Sequence, residues 1–588
     1  MVRGASSRRV AFPTPFVRCF VTSRSRFVAP AVLIAAACAP AGPGPAPVPD
    51  PAAPVEARVA RTVPAITAAD LRYRTFIFAD DSMLGREAGT LGNVKATDYL
   101  AAELRRMGVE PAGENGTYFQ TLPLYQRVVD TTNMIAVDGT PLTRGPDYLV
   151  IPNLIYAFPF GMSATFDSTP VVYGGPLGAA DGLAPEAAVG RFVVFAAPTA
   201  PGDVIGMINA LPARYPDAVG IALAFLEFLS PGEVAELTGP QGTRDRDLPT
   251  GPVGLLISMN TATRMLGTPL GGATVGQGAG VLQGAAGFVV SSLPHPARNV
   301  VGVVRGRDPA LSHQYVAIGA HNDHEGIRDD AVDHDSLRAY NKVIRPQGAD
   351  DPQRTPTAAE QARITTLLQS ARRTGFARPD SVMNGADDDA SGSMTVLEIA
   401  EAFATAPEKP ARSILFVWHT GEEKGLLGAE YFTNNPTVPR DSIVAQINMD
   451  MVGRGDAGDL AGGGPGYMQV IGSRRLSTEL GDLVDSVNAR GGYSLSFDYQ
   501  YDADGHPQQF YCRSDHYEYA RFGIPVAFFS TGSHPDYHMV TDEPQYIDYP
   551  KMRRVAAYVF DLVKTIGDLD HRIVVDKTKP DPKAACRQ

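Results

Sequence analysis

Short clusters of histidine and acidic residues stand out in the second half of the chain. Four of them each follow an apolar run long enough for a buried strand, and a fifth directly precedes a predicted helix. Because the carboxyl ends of strands in an open α/β sheet meet along one edge, clusters that are distant in sequence can converge there. The four that follow strands are HNDH (321–324), TGEE (420–423), NMDM (448–451) and SHPDYH (533–538), and the fifth is NGADDD (384–389).

Side chains of these types suit a pair of zinc ions. Histidine and carboxylate ligands together favour zinc, whereas Mg²⁺ prefers oxygen and water. Two ions about 3.5–4 Å apart need a bridging carboxylate, and such a pair polarises a peptide carbonyl and lowers the pKa of bound water to about 7. A further carboxylate must pass the water's proton to the leaving amine. Adjacent Glu422 and Glu423 can divide the roles of base and ligand, because neighbours in an extended segment point to opposite sides.

Each cluster alone also has a purely structural interpretation. The Asp triplet at 387–389 can cap a helix, and adjacent glutamates commonly lie on a solvated face. A short motif taken singly is a hypothesis with many false positives. The shared strand edge is the reason to favour a functional site.

An alternation of strands and helices would bring the clusters together. Helices are predicted at 391–404, after the Asp triplet, and at 552–566, where four apolar residues form one stripe. The predicted buried strands cover 300–304, 315–319, 414–418, 443–448, 467–471 and 525–530. This alternation predicts an α/β fold with a doubly wound, mainly parallel sheet flanked by helices.

The texture of the chain changes several times, so we expect more than one folded unit in 588 residues. Between about 131 and 287, short Val, Ile and Phe runs alternate with Gly and Pro, which predicts a smaller β-rich insert. The predicted boundaries are 1–38 for a signal, 39–65 for a Pro/Ala-rich tether, 66–150 for the first part of the α/β domain, 151–287 for the insert, 288–570 for the catalytic domain and 571–588 for a tail.

The N-terminal region has the features of an export signal. Residues 1–38 contain six Arg and no acidic residue, and the apolar run 27–37 ends in small residues before Cys38. That run is too short for a permanent membrane-spanning helix. It resembles a bacterial lipoprotein signal, and plain secretion fits it equally well. We expect an exported protein that is periplasmic, an outer-membrane lipoprotein or secreted; in the lipoprotein case, a lipid on Cys38 would be its only membrane contact.

Composition limits the partners. The formal charge of −12 argues against a nucleic-acid partner, which would need a basic face. Hydrophobic residues make up 44% of the chain and charged residues 20%, as in globular proteins. The four cysteines form no CxxC motif, and we expect Cys512 to be a lone buried thiol.

The order of the motifs resembles the zinc aminopeptidase family, which includes bacterial leucyl aminopeptidase, aminopeptidase Y, glutamate carboxypeptidase II and glutaminyl cyclase. The resemblance covers roughly 70–130 and 294–565, and DSMLGR (81–86) looks like the family's N-terminal signature. Residues 160–285 look like the protease-associated insert of many members. The motifs that carry it are HNDH, NGADDDASG, GEEKGLLGAEYF, NMDMVGR, RSDHYEYARFGIPVAFF and TGSHPDYHMVTDEP.

The resemblance implies two co-catalytic zinc ions, peptide substrates and a role for residues of each motif. It makes Glu422 the general base. Asp388, the second residue of the Asp triplet, would bridge both ions. The other ligands that it implies are His321 and Asp450 on one ion, and Glu423 and His538 on the other.

The resemblance also implies supporting residues. Asp323 would hold His321 in place by accepting its second N–H. Asp515 and His516 belong to the SDH motif and would support the site, whereas His534 is not expected to bind metal.

A long segment at 325–383 departs from the family pattern. Loops of this length usually have a function or form a peripheral decoration. Thr357 and Glu360 form a predicted capping box before a helical stripe. We expect either a lid over the substrate pocket or a decoration.

Several functions fit the motifs, of which hydrolysis of N-terminal residues is the leading one. Carboxypeptidase or dipeptidase action would need a cation for the substrate carboxylate, for which Arg513 and Arg328 are candidates. Glutaminyl cyclisation and a non-catalytic, receptor-like role also fit the motifs, although the complete ligand set argues against the receptor-like role. The preferred side chain and the oligomeric state are not encoded in any readable pattern.

Overall fold

The computed structural model describes residues 62–151, 160–198, 204–229, 234, 241–244, 250–372, 376–584 and 586–588. The predicted export signal, Cys38 and most of the tether lie outside the described residues. In the part that is described, no helix combines the length and the apolar character needed to cross a bilayer.

The strands form two large sheets and one small hairpin. In chain order they are β1 (Glu110–Pro111), β2 (Phe119–Thr121), β3 (Leu124–Val129), β4 (Ile135–Val137), β5 (Thr140–Pro141), β6 (Tyr148–Val150), β7 (Ser163–Pro176), β8 (Phe192–Ala196), β9 (Gly220–Ala224), β10 (Gln241–Arg244), β11 (Val253–Ile257), β12 (Val281–Ser292), β13 (Arg298–Val304), β14 (Tyr315–His321), β15 (Gly326–Asp333), β16 (Pro379–Met383), β17 (Ser413–His419), β18 (Ile443–Met449), β19 (Tyr467–Ile471), β20 (Ser496–Asp498) and β21 (Val526–Ser530).

The α-helices lie before, between and after these strands. They are α1 (Ala68–Phe78), α2 (Leu91–Met107), α3 (Val204–Arg214), α4 (Met259–Leu266), α5 (His334–Ile344), α6 (Ala358–Ala371), α7 (Ala390–Thr405), α8 (Leu427–Asn434), α9 (Thr478–Gly491), α10 (His516–Ala520) and α11 (Tyr549–Gly567).

The sheet that carries the predicted clusters has the order β1-β13-β17-β14-β18-β21-β19-β20, with β2 beside β13. Its four central strands, β17, β14, β18 and β21, are parallel, and β13 and β19 flank them in antiparallel pairing. After β14, the next strand of this sheet, β17, pairs with one edge of β14, and the following strand, β18, pairs with its other edge. A crevice therefore opens at the carboxyl end of β14. The predicted α/β fold with a doubly wound, mainly parallel sheet is confirmed for these central strands.

Helices cover both faces of this sheet, and their apolar stripes explain why. The first face packs against α1, α2, α7 and α11, whose stripe at 555–566 is buried as predicted. The second face packs against α8 and α10. Burying a large aliphatic side chain contributes about 1.5–3 kcal/mol, so these packed faces stabilise the sheet.

A second sheet occupies Leu124–Ser292 and has the order β10-β3-β12-β7-β8-β9-β11-β6, with β4 and β5 beside β12. It has its own buried clusters, which lie on its two faces. The β-rich texture of this region is therefore explained, and the predicted boundaries at 151 and 287 stay a prediction.

In the long segment at 325–383, β15 and β16 form a two-stranded antiparallel sheet, and helices α5 and α6 lie between these strands in the chain. The predicted capping box at the start of α6 is confirmed, because the side chains of Thr357 and Glu360 each accept a bond from the other's backbone N–H. Ile364 on the predicted stripe packs against Ala339 and Ile344 of α5.

The expectation of a lone thiol at Cys512 is wrong. Cys512 forms a disulfide with Cys586, and their Cα atoms lie 5.7 Å apart. The two residues are 74 positions apart, so the bond ties the tail to the segment before the SDH motif. The carboxyl-terminal Gln588 adds to this attachment, because its side-chain oxygen accepts a hydrogen bond from the backbone of Tyr511.

Candidate metal centre

The ends of the central strands position most of the candidate residues. His321 is the last residue of β14, and Glu422 and Glu423 lie just after β17. Asp450 follows β18 directly. The segment after β21 brings His538 to the same edge, so the clusters converge as expected from the strand order.

The first group of ligand atoms surrounds His321, which is buried. Its Nε2 lies 3.0 Å from Oδ1 of Asp388 and 3.7 Å from Oδ1 of Asp450. Its Nδ1 lies 3.2 Å from the backbone carbonyl oxygen of Asp323 and 3.7 Å from Oδ1 of that residue. The carbonyl is therefore the closer partner of the ring, while Oδ1 of Asp323 accepts a bond from the backbone N–H of Glu422.

The second group surrounds the other oxygen of Asp388. Nε2 of His538 lies 2.9 Å from Oδ2 of Asp388 and 3.0 Å from Oε2 of Glu423. Nδ1 of His324 lies 2.6 Å from Oε1 of Glu423. The ligand atoms of these four residues all lie within 4.8 Å of one another. Asp388 thus presents one oxygen to each group, which is the arrangement of a bridging carboxylate.

The three aspartates of the triplet have different partners. Asp387 accepts a bond from the backbone of Gly453, and its other oxygen lies 3.2 Å from Nε2 of His534. Asp389 caps α7 and accepts a bond from the backbone N–H of His321. Asp388 lies between both ligand groups, whereas Asp389 reaches only the first, where one of its oxygens lies within 4.8 Å of ligand atoms of His321 and Asp450.

Two buried side chains hold the loop that carries the triplet. Arg86, from the DSMLGR motif, donates to the carbonyl oxygens of Asn384 and Gly385 at 2.6 and 3.0 Å. Oδ2 of Asp542 accepts bonds from the backbone N–H groups of Asp387 and Asp388 at 2.9 and 3.1 Å. The position of Asp388 therefore depends on residues about 300 positions before it and about 155 positions after it.

The electrostatics of the first group indicate a place for a cation. Burial lowers the pKa of His321, but the facing carboxylates of Asp323, Asp388 and Asp450 outweigh it and raise that pKa well above its ordinary value. A proton held this strongly between an imidazole and carboxylates stands where a dication would bind, and metal binding would release it.

The second group has the same character. Burial opposes ionisation of Asp388, yet the imidazoles of His321 and His538 hold its pKa well below the ordinary range. Burial also lowers the pKa of His538, and Glu423 and Asp388 raise it well above its ordinary value. Histidine and carboxylate donors in this state fit zinc.

Glu422 differs from the ligands. It lines the cleft, and burial together with the charges of Asp450 and Glu423 raises its pKa well above the ordinary value. A carboxylate with a raised pKa beside a pair of ligand groups is suited to accept a proton.

The SDH motif contacts the ligands through its serine. Ser514 donates a bond of 2.8 Å from Oγ to Oδ2 of Asp450. Oδ2 of Asp515 lies 3.2 Å from Nδ1 of His419, and His516 stacks on Phe528 with ring centroids 4.6 Å apart. The structure therefore brings neither Asp515 nor His516 into contact with the two ligand groups.

Sequence reasoning missed His324 and Ser514. The signal for His324 was its place as the second histidine of HNDH, three residues beyond the end of β14. The signal for Ser514 was its place in the SDH motif, although the supporting role was predicted only for Asp515 and His516. Nε2 of His534, which was not expected to bind metal, lies 3.2 Å from Oδ2 of Asp387.

A cleft opens over the two groups. Its walls combine the ligands with apolar and aromatic residues and one cation, Arg513. Arg513 donates to the hydroxyl of Tyr537 at 3.0 Å and lies 3.2 Å from Oδ1 of Asp350, which comes from the 325–383 segment. Asp350 also accepts a hydrogen bond of 2.6 Å from Ser533, which lines the cleft. The 325–383 segment therefore contacts and supports one side of the cleft.

Several known proteins are similar to parts of this chain. Leupeptin-inactivating enzyme 1 of Streptomyces exfoliatus is 40% identical over 82 residues, which are 13% of this chain and 19% of that protein. A probable leucine aminopeptidase of Arthroderma benhamiae is 38% identical over 82 residues, which are 13% of this chain and 23% of that protein. The chain thus spans about a fifth of the length of the curated relatives it matches.

A zinc aminopeptidase from Bacillus subtilis is among the similar solved structures. It aligns with a TM-score of 0.45 and 14% identity over 86% of this chain and 96% of that chain. Residues 299–563 match the profile of peptidase family M28. This matching range contains every residue of both ligand groups.

Proposed function

We propose that this chain is an exported two-zinc exopeptidase that removes N-terminal residues from peptides. The proposal rests on the position of the Asp388 carboxylate, whose Oδ1 faces His321 and whose Oδ2 faces His538. One carboxylate between two ligand groups is what a pair of co-catalytic ions requires. The name of the leucine aminopeptidase relative supports the choice of an aminopeptidase.

The donor set supports zinc as the metal. Asp388 would bridge the ions. The residues that would complete the sites are His321 and Asp450 on one side, and Glu423 and His538 on the other. When bound, the two zinc ions polarise the scissile carbonyl and acidify the attacking water.

Glu422 is the proposed general base. Its carboxylate lines the cleft with Asp388 and Glu423, and its backbone is held by Asp323 at 3.2 Å. The raised pKa of Glu422 favours acceptance of the water's proton and its return to the leaving amine. Glu423, its neighbour, faces His538 and His324, so the two glutamates divide the roles of base and ligand.

The cleft lining contains charges of both signs. Asp388, Glu422, Glu423 and Asp450 line it, and the two zinc ions would neutralise the three proposed ligands among these carboxylates. Arg513, which also lines the cleft, supports a second candidate, a dipeptidase or carboxypeptidase of the same family, because a cation there can bind a substrate carboxylate.

Export is part of the proposal. The Cys512–Cys586 disulfide supports an oxidising compartment, where such bonds persist. We propose an N-terminal export signal, which either is cleaved from a secreted protein or leaves a lipid on Cys38 as the only membrane contact. We also propose that the second sheet, Leu124–Ser292, is the protease-associated insert that the sequence resembles.

Zinc analysis with a panel of chromogenic substrates tests the function. We expect two zinc ions per chain and cleavage of aminoacyl anilides that have a free amine. Blocking that amine should abolish cleavage. Cleavage confined to N-blocked peptides with a free carboxylate would contradict the aminopeptidase and favour the second candidate.

A further inference from the structure

His324 is buried beside the second ligand group, yet it is not one of the five ligands that the family resemblance implies. Its Nδ1 lies 2.6 Å from Oε1 of Glu423 and 3.9 Å from Oδ2 of Asp388. The mechanism proposed above gives this imidazole no task. Its place next to a proposed ligand therefore needs an explanation.

The two oxygens of Glu423 have different histidine partners. Oε2 lies 3.0 Å from Nε2 of His538, which is itself 2.9 Å from Oδ2 of Asp388. Oε1 lies against Nδ1 of His324. A carboxylate oxygen only accepts, so a bond of this length places the proton on Nδ1. Oε2 is then the oxygen that remains for an ion shared with His538 and Asp388.

Packing holds the ring of His324 in this orientation. Gly385 has a φ of +51°, and a Cβ added there would come within 2.5 Å of two ring carbons of His324. The ring also meets that of His538 edge to face, with centroids 5.5 Å apart. The NGADDD motif therefore needs glycine at 385 partly to leave room for the second histidine of HNDH.

The other group shows the same design. Asp450 accepts a bond from Ser514 through one oxygen, and its other oxygen faces His321. Outer partners of this kind fix the direction of a ligand, and their loss typically costs 10–100-fold in metal affinity or activity. Glu423 would have no comparable side-chain partner on Oε1 without His324.

We propose that His324 is a positioning residue for the second metal ion: its Nδ1–H donates to Oε1 of Glu423 and thereby directs Oε2 to the ion. This inference rests on the proposed two-zinc function. Binding of the ion near His538 would then depend on His324, a residue that binds no metal itself.

Two substitutions separate this role from direct ligation. In His324→Asn, the side-chain amide nitrogen occupies roughly the place of Nδ1 and can donate to Glu423. In His324→Gln, the longer side chain carries its amide toward the place of Nε2 and leaves Oε1 without a donor. A positioning role predicts that Asn restores what Gln loses, whereas a ligand role predicts loss in both.

The experiment measures metal binding on the full-length enzyme. Zinc per chain and chelator competition would be compared for the wild type, His324→Asn and His324→Gln. We expect the Gln variant to bind its second ion about 10–100-fold more weakly and the Asn variant to bind close to wild type. The visible spectrum of the Co²⁺-substituted Asn variant should match that of the wild type, because no ligand has been removed.

Three outcomes would overturn the proposal. Equal binding by all three proteins would show that His324 has no effect on the ion. Equal loss in both variants, with an altered Co²⁺ spectrum of the Asn variant, would show direct ligation. Equal loss with an unaltered spectrum would mean that a hydrogen-bond donor at position 324 does not determine the affinity for the second ion. Thermal unfolding of the metal-free proteins controls for folding, and a wild type with fewer than two ions would instead contradict the proposed function.

Discussion

Ser514 donates its hydroxyl hydrogen to Oδ2 of Asp450 over 2.8 Å, while Oδ1 of the same carboxylate lies 3.7 Å from His321. The hydroxyl is itself held, because it accepts a bond of 2.9 Å from the side-chain amide of Asn448. The SDH motif thus reaches the first ligand group through its smallest residue. This chain of bonds fixes which oxygen of Asp450 faces the ion.

Ser514→Ala should weaken zinc at the first group. The loss of one outer partner typically costs 10–100-fold in metal affinity. Chelator competition on the purified enzyme measures this, with the exposed Ser486→Ala on α9 as the matched control. Unchanged zinc affinity in Ser514→Ala would mean that Asp450 is held by its backbone alone.

Glu422→Gln should separate metal binding from turnover. The amide cannot accept the water's proton, so we expect kcat to fall by about 10²–10⁴-fold. Zinc content should stay at the wild-type value, because Glu422 lines the cleft without being one of the proposed ligands. Glu423→Gln is the contrast and should lose zinc. If Glu422→Gln loses zinc as well, the division of roles between the two glutamates is wrong.

Much of the fold and the site followed from local patterns. Apolar runs of strand length predicted each central strand, and the rule that sites form at carboxyl ends predicted that His321, Glu423 and Asp450 would converge. The choice of Asp388 within the triplet came from the family resemblance. The contacts of Asp387 and Asp389 provide a physical reason for it, since backbone groups and His534 occupy their carboxylates.

The remaining features depend on contacts that no local pattern encodes. The bond from His324 to Glu423 joins residues 99 positions apart, and that from Ser514 to Asp450 spans 64. Cys586 lies near the end of the chain, in a tail without periodicity, so nothing in its neighbourhood predicted its pairing with Cys512. Side-chain partners of this kind are set by the packing of the whole domain.

His516 should make the fold sensitive to acid. Burial, with the charge of Arg475 adding to it, lowers the pKa of His516 to about 3. Between pH 6.5 and 3 the unfolded chain binds a proton that the folded one does not, so stability falls as the pH decreases through this range. His516→Phe keeps an aromatic ring against Phe528 and removes the titration.

Denaturant unfolding of metal-free protein at pH 7 and pH 4 measures this effect. Since one pKa unit corresponds to about 1.4 kcal/mol, His516→Phe should lose about 3 kcal/mol less than wild type between the two values. Working without metal removes the contribution of zinc release. An equal decrease in the free energy of unfolding of the two proteins between pH 7 and pH 4 would show that His516 does not control acid stability.

The Cys512–Cys586 disulfide should contribute to stability under oxidising conditions. It closes a long loop, and removal of a native disulfide typically costs about 2–4 kcal/mol. Cys586→Ser should show that loss in denaturant unfolding, and a reductant should destabilise the wild type but not the variant. A reductant effect on the variant would point to a different cause.

The 325–383 segment should influence substrate preference through Asp350. Asp350 lies 3.2 Å from Arg513 and offsets its charge at the cleft wall. Asp350→Asn leaves the guanidinium with a neutral partner, so binding of a substrate carboxylate should become more favourable. A hydrogen bond to a charged group contributes about 1.5–3 kcal/mol, and about 1.4 kcal/mol corresponds to tenfold, so the ratio of kcat/KM for glutamyl over leucyl anilides should rise by about 10-fold or more.

Arg513→Gln should shift the same ratio in the opposite direction and leave leucyl anilide cleavage nearly unchanged. Asp329→Asn, an exposed change in the same segment, is the matched control and should leave the ratio at the wild-type value. Because both substrates meet the same metal ions and the same Glu422, a defect in chemistry would lower both rates and keep their ratio. A ratio that does not respond to Asp350→Asn or Arg513→Gln would mean that the cation is fully occupied by Tyr537 and does not meet the substrate.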